Sequence, residues 1–265
     1  MTPTELVEEA ARVGLTAVAV TDHDSVDGLE EALAAGRRLG IEVAPGVEIP
    51  LEFEDFSLDM LGYFLCGVPS DAFRAQLAEL RDERNERNER ILQKLGELGF
   101  PLEPADLAQA AGGEAVGRPH IAEAMRRRGY VSSITEAFDR FLRRGAPAFV
   151  DRRRLGLAPA VRLILGSGGV PVIAHPGIIR TNAAGLRRLV REAARQGVVG
   201  LECSYPTYDQ ATADRCLALA HEFNLVATGG SDFHGTVKPA SRLGHGTGGR
   251  PIDDDVLTQL KARCP

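Results

Sequence analysis

Short apolar runs alternate with amphipathic segments along most of this chain. The runs lie at residues 15–20, 41–44, 58–64, 170–174, 198–201 and 225–228. Buried strands produce such runs, and the segments between them have the apolar spacing of helices. Helix starts are predicted at two capping boxes, Thr2 with Glu5 and Asp27 with Glu30. Strands separated by helices predict an α/β fold with parallel pairing.

The middle of the chain follows a different pattern. From residue 70 to about residue 128 it is almost entirely helical, with one apolar stripe made by Phe73, Leu77, Leu80, Ile91, Leu95 and Leu98. A charged run at residues 81–90 interrupts the stripe. Within this run Arg84 and Asn88 occupy the positions at which the apolar stripe would continue. A solvated face with compensating charges is the favoured interpretation. The alternative is a helix that overhangs a site and lends Arg84 to it.

Length and composition fit one barrel with an insertion. A chain of 265 residues that is 44% hydrophobic can bury one substantial core, and single α/β barrels of this size are common. We predict that residues 1–68 and 150–265 form the barrel. Residues 69–149 are predicted to form a helical insertion that serves as a lid or substrate element.

Charge, hydropathy and cysteine spacing narrow the functional classes. A net charge of −6 argues against capture of long nucleic acid but permits a local positive pocket. The chain has no apolar run long enough to cross a membrane and no signal-peptide pattern at its start, so a cytoplasmic location is expected. Cys66, Cys203, Cys216 and Cys264 are irregularly spaced, which predicts small core residues rather than a disulfide framework or a zinc knuckle.

Histidine and carboxylate side chains follow the apolar runs. They are Asp22, His23, Asp24, Glu48, His175, Asp232 and His234. In parallel α/β barrels the loops that leave the strands converge on one face, so these side chains are predicted to meet there. Imidazole and carboxylate groups together suit zinc, manganese or iron. The pattern indicates a metal-dependent hydrolase.

A second motif, at residues 117–120, predicts an anion site. Pro119 suits a first helical turn, so His120 and nearby backbone N–H groups would face a ligand at the positive end of that helix, with Arg118 adjacent. A phosphate would be well held there. The alternative is an ordinary helix start with two exposed polar residues.

Six motifs together resemble those of the PHP (polymerase and histidinol phosphatase) superfamily, and more narrowly its nucleoside 3′,5′-bisphosphate phosphatase and 5′–3′ exoribonuclease branch. They lie at residues 21–24, 45–48, 61–64, 117–120, 174–176 and 229–235. The resemblance implies a distorted (β/α)7 TIM-like barrel with a helical insertion. It also implies a site of two or three manganese, iron or zinc ions that hydrolyses phosphate esters. By the same resemblance, His23, Glu48, His175, Asp232 and His234 are metal ligands, and Arg118 and His120 bind substrate phosphate.

The sequence departs from the family pattern in two places. Family members open with a strand that bears His-x-His and a nearby Asp-Gly, whereas this chain begins at Met1, where that segment should have ended. A truncated sequence is the favoured explanation, and a genuine loss of catalytic apparatus is the alternative, so fewer metal ions are expected here. Asp59 stands where a family histidine commonly precedes the Leu-Gly-Tyr stretch. Its oxygen can bind the same metals, so Asp59 joins the predicted ligands.

The resulting hypothesis is a phosphoesterase that acts on nucleoside 3′,5′-bisphosphates and short oligoribonucleotides from the 5′ end. Glu48 is predicted to bridge metal ions bound also by His23, and Asp24 to orient water or protonate the leaving oxygen. The alternatives are a metal-dependent C–N hydrolase and a catalytically impaired PHP domain that binds a nucleotide or a protein. The expected partner is a nucleotide or short RNA, with no long nucleic acid, membrane or obligate protein partner.

Overall fold

The computed structural model describes residues 1–111, 116–151, 154–235 and 241–264. These residues form two compact units. The first unit comprises Met1–Arg74 and Arg154–Pro265, and the second comprises Ala75–Arg153. No helix among the described residues is both long enough and apolar enough to span a membrane.

The first unit is built on a seven-stranded sheet flanked by helices. Its strands are β1 (Ala17–Val20), β2 (Glu42–Phe53), β3 (Phe56–Tyr63), β4 (Leu155–Gly156), β5 (Val170–Ile173), β6 (Gly200–Ser204) and β7 (Val226–Gly229). Its helices are α1 (Pro3–Arg12), α2 (Leu29–Leu39), α7 (Leu157–Leu165), α8 (Ala183–Gln196), α9 (Gln210–Glu222) and α10 (Asp255–Lys261), with short 3-10 turns at Pro176–Ile178 and Thr247–Gly249. The fold is therefore mixed α/β.

The strands lie in the order β1-β2-β3-β5-β6-β7, and β4 pairs with β2. Most neighbours are parallel, but β3 is antiparallel to both β2 and β5. The prediction of parallel pairing throughout is therefore wrong at β3. Only Glu54 and Asp55 separate the Phe53↔Phe56 pair, and a link this short can join only antiparallel strands.

The capping box that begins α1 is confirmed. The Thr2 hydroxyl accepts the Glu5 N–H at 3.2 Å, and the Glu5 carboxylate accepts the Thr2 N–H at 2.8 Å. The capping box predicted at Asp27 is wrong, because α2 begins after Gly28 without a side-chain cap. A Cβ at Gly28 would lie 2.8 Å from Pro3 Cγ, so close packing against the start of α1 requires glycine at this position.

The core of the first unit includes a cluster that contains the end of α10. Leu260 packs in it with Leu61, Tyr63 and Val172. Beside this cluster Cys66 and Cys264 form a disulfide whose Cα atoms are 6.4 Å apart. The expectation that no disulfide forms is therefore wrong. The two cysteines are 198 residues apart, and only the docking of α10 brings them together.

Cys203 and Cys216 are free and buried, as predicted.

The second unit is helical and has its own core. It contains most of α3 (Asp71–Glu97), then α4 (Pro104–Ala111), α5 (Arg118–Arg127), α6 (Ile134–Ala137) and a π-helical turn at Phe138–Leu142. Its core includes Ile91, Leu95, Leu107, Ile121, Met125, Phe141 and Leu142. Arg84, Arg87 and Asn88 are 5–7% exposed, so the interpretation of this stretch as a solvated face is wrong for these residues. Arg84 and Asn88 continue the apolar stripe, and Asn88 Nδ2 donates to the Val116 carbonyl at 3.0 Å.

Candidate metal centre

The backbone pairs His23 with Glu48 before any side chain is considered. The Asp24 N–H donates to the Glu48 carbonyl at 2.9 Å, and the Glu48 N–H donates to the Asp22 carbonyl at 3.1 Å. This bridge keeps the register of the parallel β1–β2 ladder three residues beyond its last pair, Val20 and Pro45. The side chain that follows β1 is therefore held beside a side chain on β2.

Glu48 is the centre of a cluster of side chains from four strands. Its two oxygens lie 3.0 Å from His175 Nε2 and 3.7 Å from His23 Nε2. Asp59 Oδ2 lies 3.7 Å from the same nitrogen of His175. One ligand atom from each of His23, Glu48 and Asp59 lies within 4.8 Å of the other two. Residues that are far apart in sequence thus converge closely enough to share an ion.

Asp232 and His234, which follow β7, face the same cluster. The His234 ring centroid lies 6.4 Å from that of His23. His234 Nδ1 is 2.8 Å from the Asp232 carbonyl oxygen and 3.2 Å from its carboxylate. The Asp232 carboxylate is close enough to Glu48 to act on its pKa. The structure therefore brings all six predicted ligands to one region of the first unit.

Three of the predicted site residues have left-handed backbone. Asp24, His175 and Asp232 have φ of 51°, 30° and 45°. Glu54 and Asn224 are the other non-glycine residues with positive φ in the described part of the chain. Such conformations cost on the order of 1–3 kcal/mol each and persist where surrounding contacts impose them, often at functional sites.

The pKa values in the cluster reflect burial and crowding of charge. Burial raises the pKa of Glu48, but His23 and the hydrogen bond from His175 outweigh it, so the net pKa is lowered. Burial and the Glu48 charge raise the pKa of Asp59. Burial lowers the pKa of His175, but the Glu48 hydrogen bond and the nearby carboxylates outweigh it and raise the pKa to about 9. Among the described residues, His23 and His175 are the groups that offset the buried acids Glu48 and Asp59. Imidazole nitrogen with carboxylate oxygen is a donor set that fits divalent metals.

Glu202 was not among the predicted site residues. Its carboxylate is buried and accepts the His175 backbone N–H at 2.7 Å. Burial raises the pKa of Glu202 to about 7. The signal that could have identified it is its position directly after the apolar run 198–201, which is the pattern that marked the other candidates.

The predicted phosphate pair lies in the second unit, at the start of α5. The Gly117 N–H donates to His120 Nδ1 at 3.0 Å, which holds the His120 ring against the start of α5. The Arg118 guanidinium donates to the Leu142 carbonyl at 3.2 Å. It also lies 6.0 Å from the Phe138 ring centroid and 5.4 Å from that of Phe149. These contacts fix the direction of Arg118, while its role stays a prediction.

Comparison with known families identifies the class to which this chain belongs. A profile described as PHP domain matches residues 1–149, and the chain belongs to the PHP family. The resemblance drawn from the motifs is therefore confirmed.

Two named relatives cover most of the chain. A 3′,5′-nucleoside bisphosphate phosphatase of Chromobacterium violaceum is 30% identical over 99% of this chain and 92% of its own length. A 5′-3′ exoribonuclease of Haemophilus influenzae is 32% identical over 88% of this chain and 85% of its own length. These relatives are, by name, enzymes that cleave phosphate esters.

Two solved structures share the fold over the whole chain. A protein from Bifidobacterium adolescentis, assigned as a metal-dependent phosphoesterase, aligns with a TM-score of 0.84 at 29% identity over 100% of this chain and 91% of that one. An amidohydrolase from Chromobacterium violaceum, with bound sulfate and no metal, aligns with a TM-score of 0.86 at 29% identity. This alignment covers 100% of this chain and 92% of the amidohydrolase chain. The mixed α/β fold is thus one that a metal-dependent phosphoesterase uses.

Proposed function

We propose that this protein is a metal-dependent phosphoesterase that hydrolyses nucleoside 3′,5′-bisphosphates and short oligoribonucleotides in the 5′ to 3′ direction. The convergence of His23, Glu48, Asp59 and His175 around one point carries the proposal. The names of the two relatives supply the substrate class. The seven-stranded sheet supports a distorted (β/α)7 barrel as its framework.

The metal is manganese, iron or zinc in this proposal, held by His23, Glu48, Asp59, His175, Asp232 and His234. When bound, it supplies positive charge that stabilises the charge developing on a phosphoryl group during displacement. Glu48 would hold the metal together with His175 and His23, because its two oxygens face these histidines. The buried acids of the cluster hold charge that a cation would offset.

Asp24 handles the proton in this mechanism. It is 1% exposed, its N–H donates to the Glu48 carbonyl, and its carboxylate lies close enough to Asp59 to raise the pKa of that residue. A carboxylate in this position can orient the attacking water or protonate the leaving oxygen. Asp24→Asn would keep the shape of the side chain and remove its capacity to accept a proton.

Arg118 and His120 bind the second phosphate in this proposal. The guanidinium and the first-turn N–H groups of α5 are donors suited to a phosphate. The Leu142 carbonyl and two phenylalanine rings pre-orient the guanidinium, so little side-chain entropy is lost on binding. A substrate with two phosphates would then be preferred over one with a single phosphate.

Phosphate release from adenosine 3′,5′-bisphosphate by protein loaded with Mn²⁺ tests this function. We expect turnover of the bisphosphate, weaker turnover of adenosine 5′-monophosphate, and stepwise shortening of a 5′-phosphorylated RNA oligomer. His221→Ala, on the exposed face of α9, is the control for a histidine outside the cluster.

Two outcomes would favour the alternatives. Bound metal without phosphate release from any of these substrates would indicate a PHP domain that binds but does not hydrolyse. Hydrolysis of an anilide substrate in place of the phosphate esters would indicate a C–N hydrolase.

A further inference from the structure

Glu202 on strand β6 and Tyr205 directly after it each contact a residue that has a left-handed backbone conformation. The Glu202 carboxylate accepts the N–H of His175, whose φ is 30°. The Tyr205 hydroxyl donates to Asp232 Oδ2 at 2.7 Å, and φ of Asp232 is 45°. The same short segment thus contacts two predicted metal ligands that follow different strands.

The Glu202 carboxylate is fixed on both sides. One oxygen accepts the His175 N–H at 2.7 Å. The other lies so close to Gly230 that a Cβ there would collide with it, so glycine is needed for the carboxylate to fit. A buried carboxylate is costly unless it is hydrogen-bonded. Here its bond stabilises a backbone conformation that is uncommon for residues other than glycine.

Tyr205 is fixed in a similar way. Its N–H donates to the Thr247 hydroxyl at 3.1 Å, and that hydroxyl donates back to the Tyr205 carbonyl at 3.2 Å. Its ring lies 5.4 Å from the His175 ring. The Tyr205 hydroxyl and His234 Nδ1 contact different oxygens of the Asp232 carboxylate, which sets its direction.

We propose that Glu202 and Tyr205 are positioning residues that hold His175 and Asp232 in the orientation needed to bind a divalent metal. Neither is itself a ligand. The inference rests on the proposed function, because it takes His175 and Asp232 as ligands. It adds that the hydrogen bond of Glu202, and not its charge, is what the site requires.

Manganese affinity of the metal-stripped protein tests this inference. Glu202→Gln keeps an oxygen that can accept the His175 N–H, so its affinity should stay within about twofold of the wild type. Glu202→Ala and Tyr205→Phe should each weaken binding by about 10- to 100-fold, as for other residues that orient metal ligands. Cys203→Ala removes a neighbouring buried side chain of β6 and should leave affinity unchanged.

Amide exchange at His175 gives a measure that needs no metal. In the stripped protein, Glu202→Ala should speed exchange of this amide at least tenfold, while Glu202→Gln and Cys203→Ala should not. Equal loss of manganese in Glu202→Gln and Glu202→Ala would make Glu202 a ligand and overturn the proposal. Unchanged exchange in Glu202→Ala would overturn it too. A wild-type chain that binds no manganese refutes the proposed function instead, and the exchange data still decide whether Glu202 holds His175.

Discussion

The two units differ in the polar groups that they bury. The first unit buries acids and an imidazole, Asp24, Glu48, His175 and Glu202. The second buries cationic and amide side chains, Arg84, Arg87 and Asn88. Buried charge is costly unless it is paired or binds an ion, so the two sets differ in the charge that each would attract. The comparison teaches that the first unit buries mainly acidic groups, which would favour a bound cation, whereas the helical unit buries cationic ones.

Removal of a predicted ligand should produce the largest effect. Since residues that only orient ligands cost about 10- to 100-fold, His175→Ala or Asp232→Ala should weaken metal binding by more than about 100-fold. Metal content after dialysis, measured by mass spectrometry, checks this. His221→Ala should keep the wild-type content. Full retention of metal in both cluster variants would mean that the first unit does not hold cations in this way.

Reduction of the Cys66–Cys264 disulfide should destabilise only the first unit. The bond closes a loop of 198 residues, and such cross-links contribute about 2–4 kcal/mol by restricting the unfolded chain. We expect Cys264→Ser to lower the unfolding midpoint by roughly 5–12 °C. Cys216→Ser, a free buried cysteine on α9, is the control to compare with and without reductant.

Addition of reductant should lower the midpoint of the wild type and of Cys216→Ser by similar amounts, and leave Cys264→Ser unaffected. Hydrogen exchange should show reduced amide protection in the strands of the first unit and unchanged protection at Ile121 and Met125 in the core of the second unit. A uniform loss across both units would mean that they unfold together.

Short sequence patterns predicted the features of this fold that depend on residues close together in the chain. The capping box at Thr2 uses residues three apart, and the motif order fixed the family. The candidate site was identifiable because strand ends converge in α/β folds whatever the intervening helices contain. His23, Glu48 and His175 meet although more than 100 residues separate the last two.

Three features of the fold could not be predicted from the sequence, each for a physical reason. The Glu54–Asp55 link lacks the Asn-Gly or Asp-Gly signal of a tight hairpin, so the reversal at β3 was missed. The partner of Cys66 depends on where α10 docks. Glu202 acts on a backbone N–H, a group present in every non-proline residue, so no residue type could have revealed its partner.

Arg118→Ala should affect substrate binding and spare the metal. Hydrogen bonds to charged groups contribute about 1.5–3 kcal/mol, so KM for the bisphosphate should rise about 10- to 100-fold. Arg126→Ala, on the same helix but exposed and paired with Glu123, is the control. Metal content should equal that of the wild type in both variants. A fall in metal content in Arg118→Ala would remove the proposed division of labour between the units.

The smallest effect should be the pH dependence of stability, which is expected to have opposite signs in the two units. In metal-free protein the pKa of His175 is raised from 6.5 to about 9 by Glu48, so its contribution is complete below pH 6.5 and is lost as pH rises through 9. Burial raises the pKa of Glu202 from 4.5 to about 7, so the ionisation of Glu202 lowers the stability of the folded protein as pH rises between those two values. In the second unit the hydrogen bonds from Arg126 and Arg127 lower the pKa of Glu123 from 4.5 to about 2, so its contribution is lost as pH falls through that range.

Unfolding midpoints of metal-free protein between pH 2.5 and 10 check these signs. His175→Gln should flatten the alkaline decline, which in the wild type is on the order of 1–3 kcal/mol. Glu123→Gln should flatten part of the acid decline, by less than about 1 kcal/mol because this pair is near the surface. If His175→Gln retains the full alkaline decline, the raised pKa of His175 is not its source. The acidic cluster would then not be what makes the first unit sensitive to alkali, and the contrast between the two units would rest on metal binding alone.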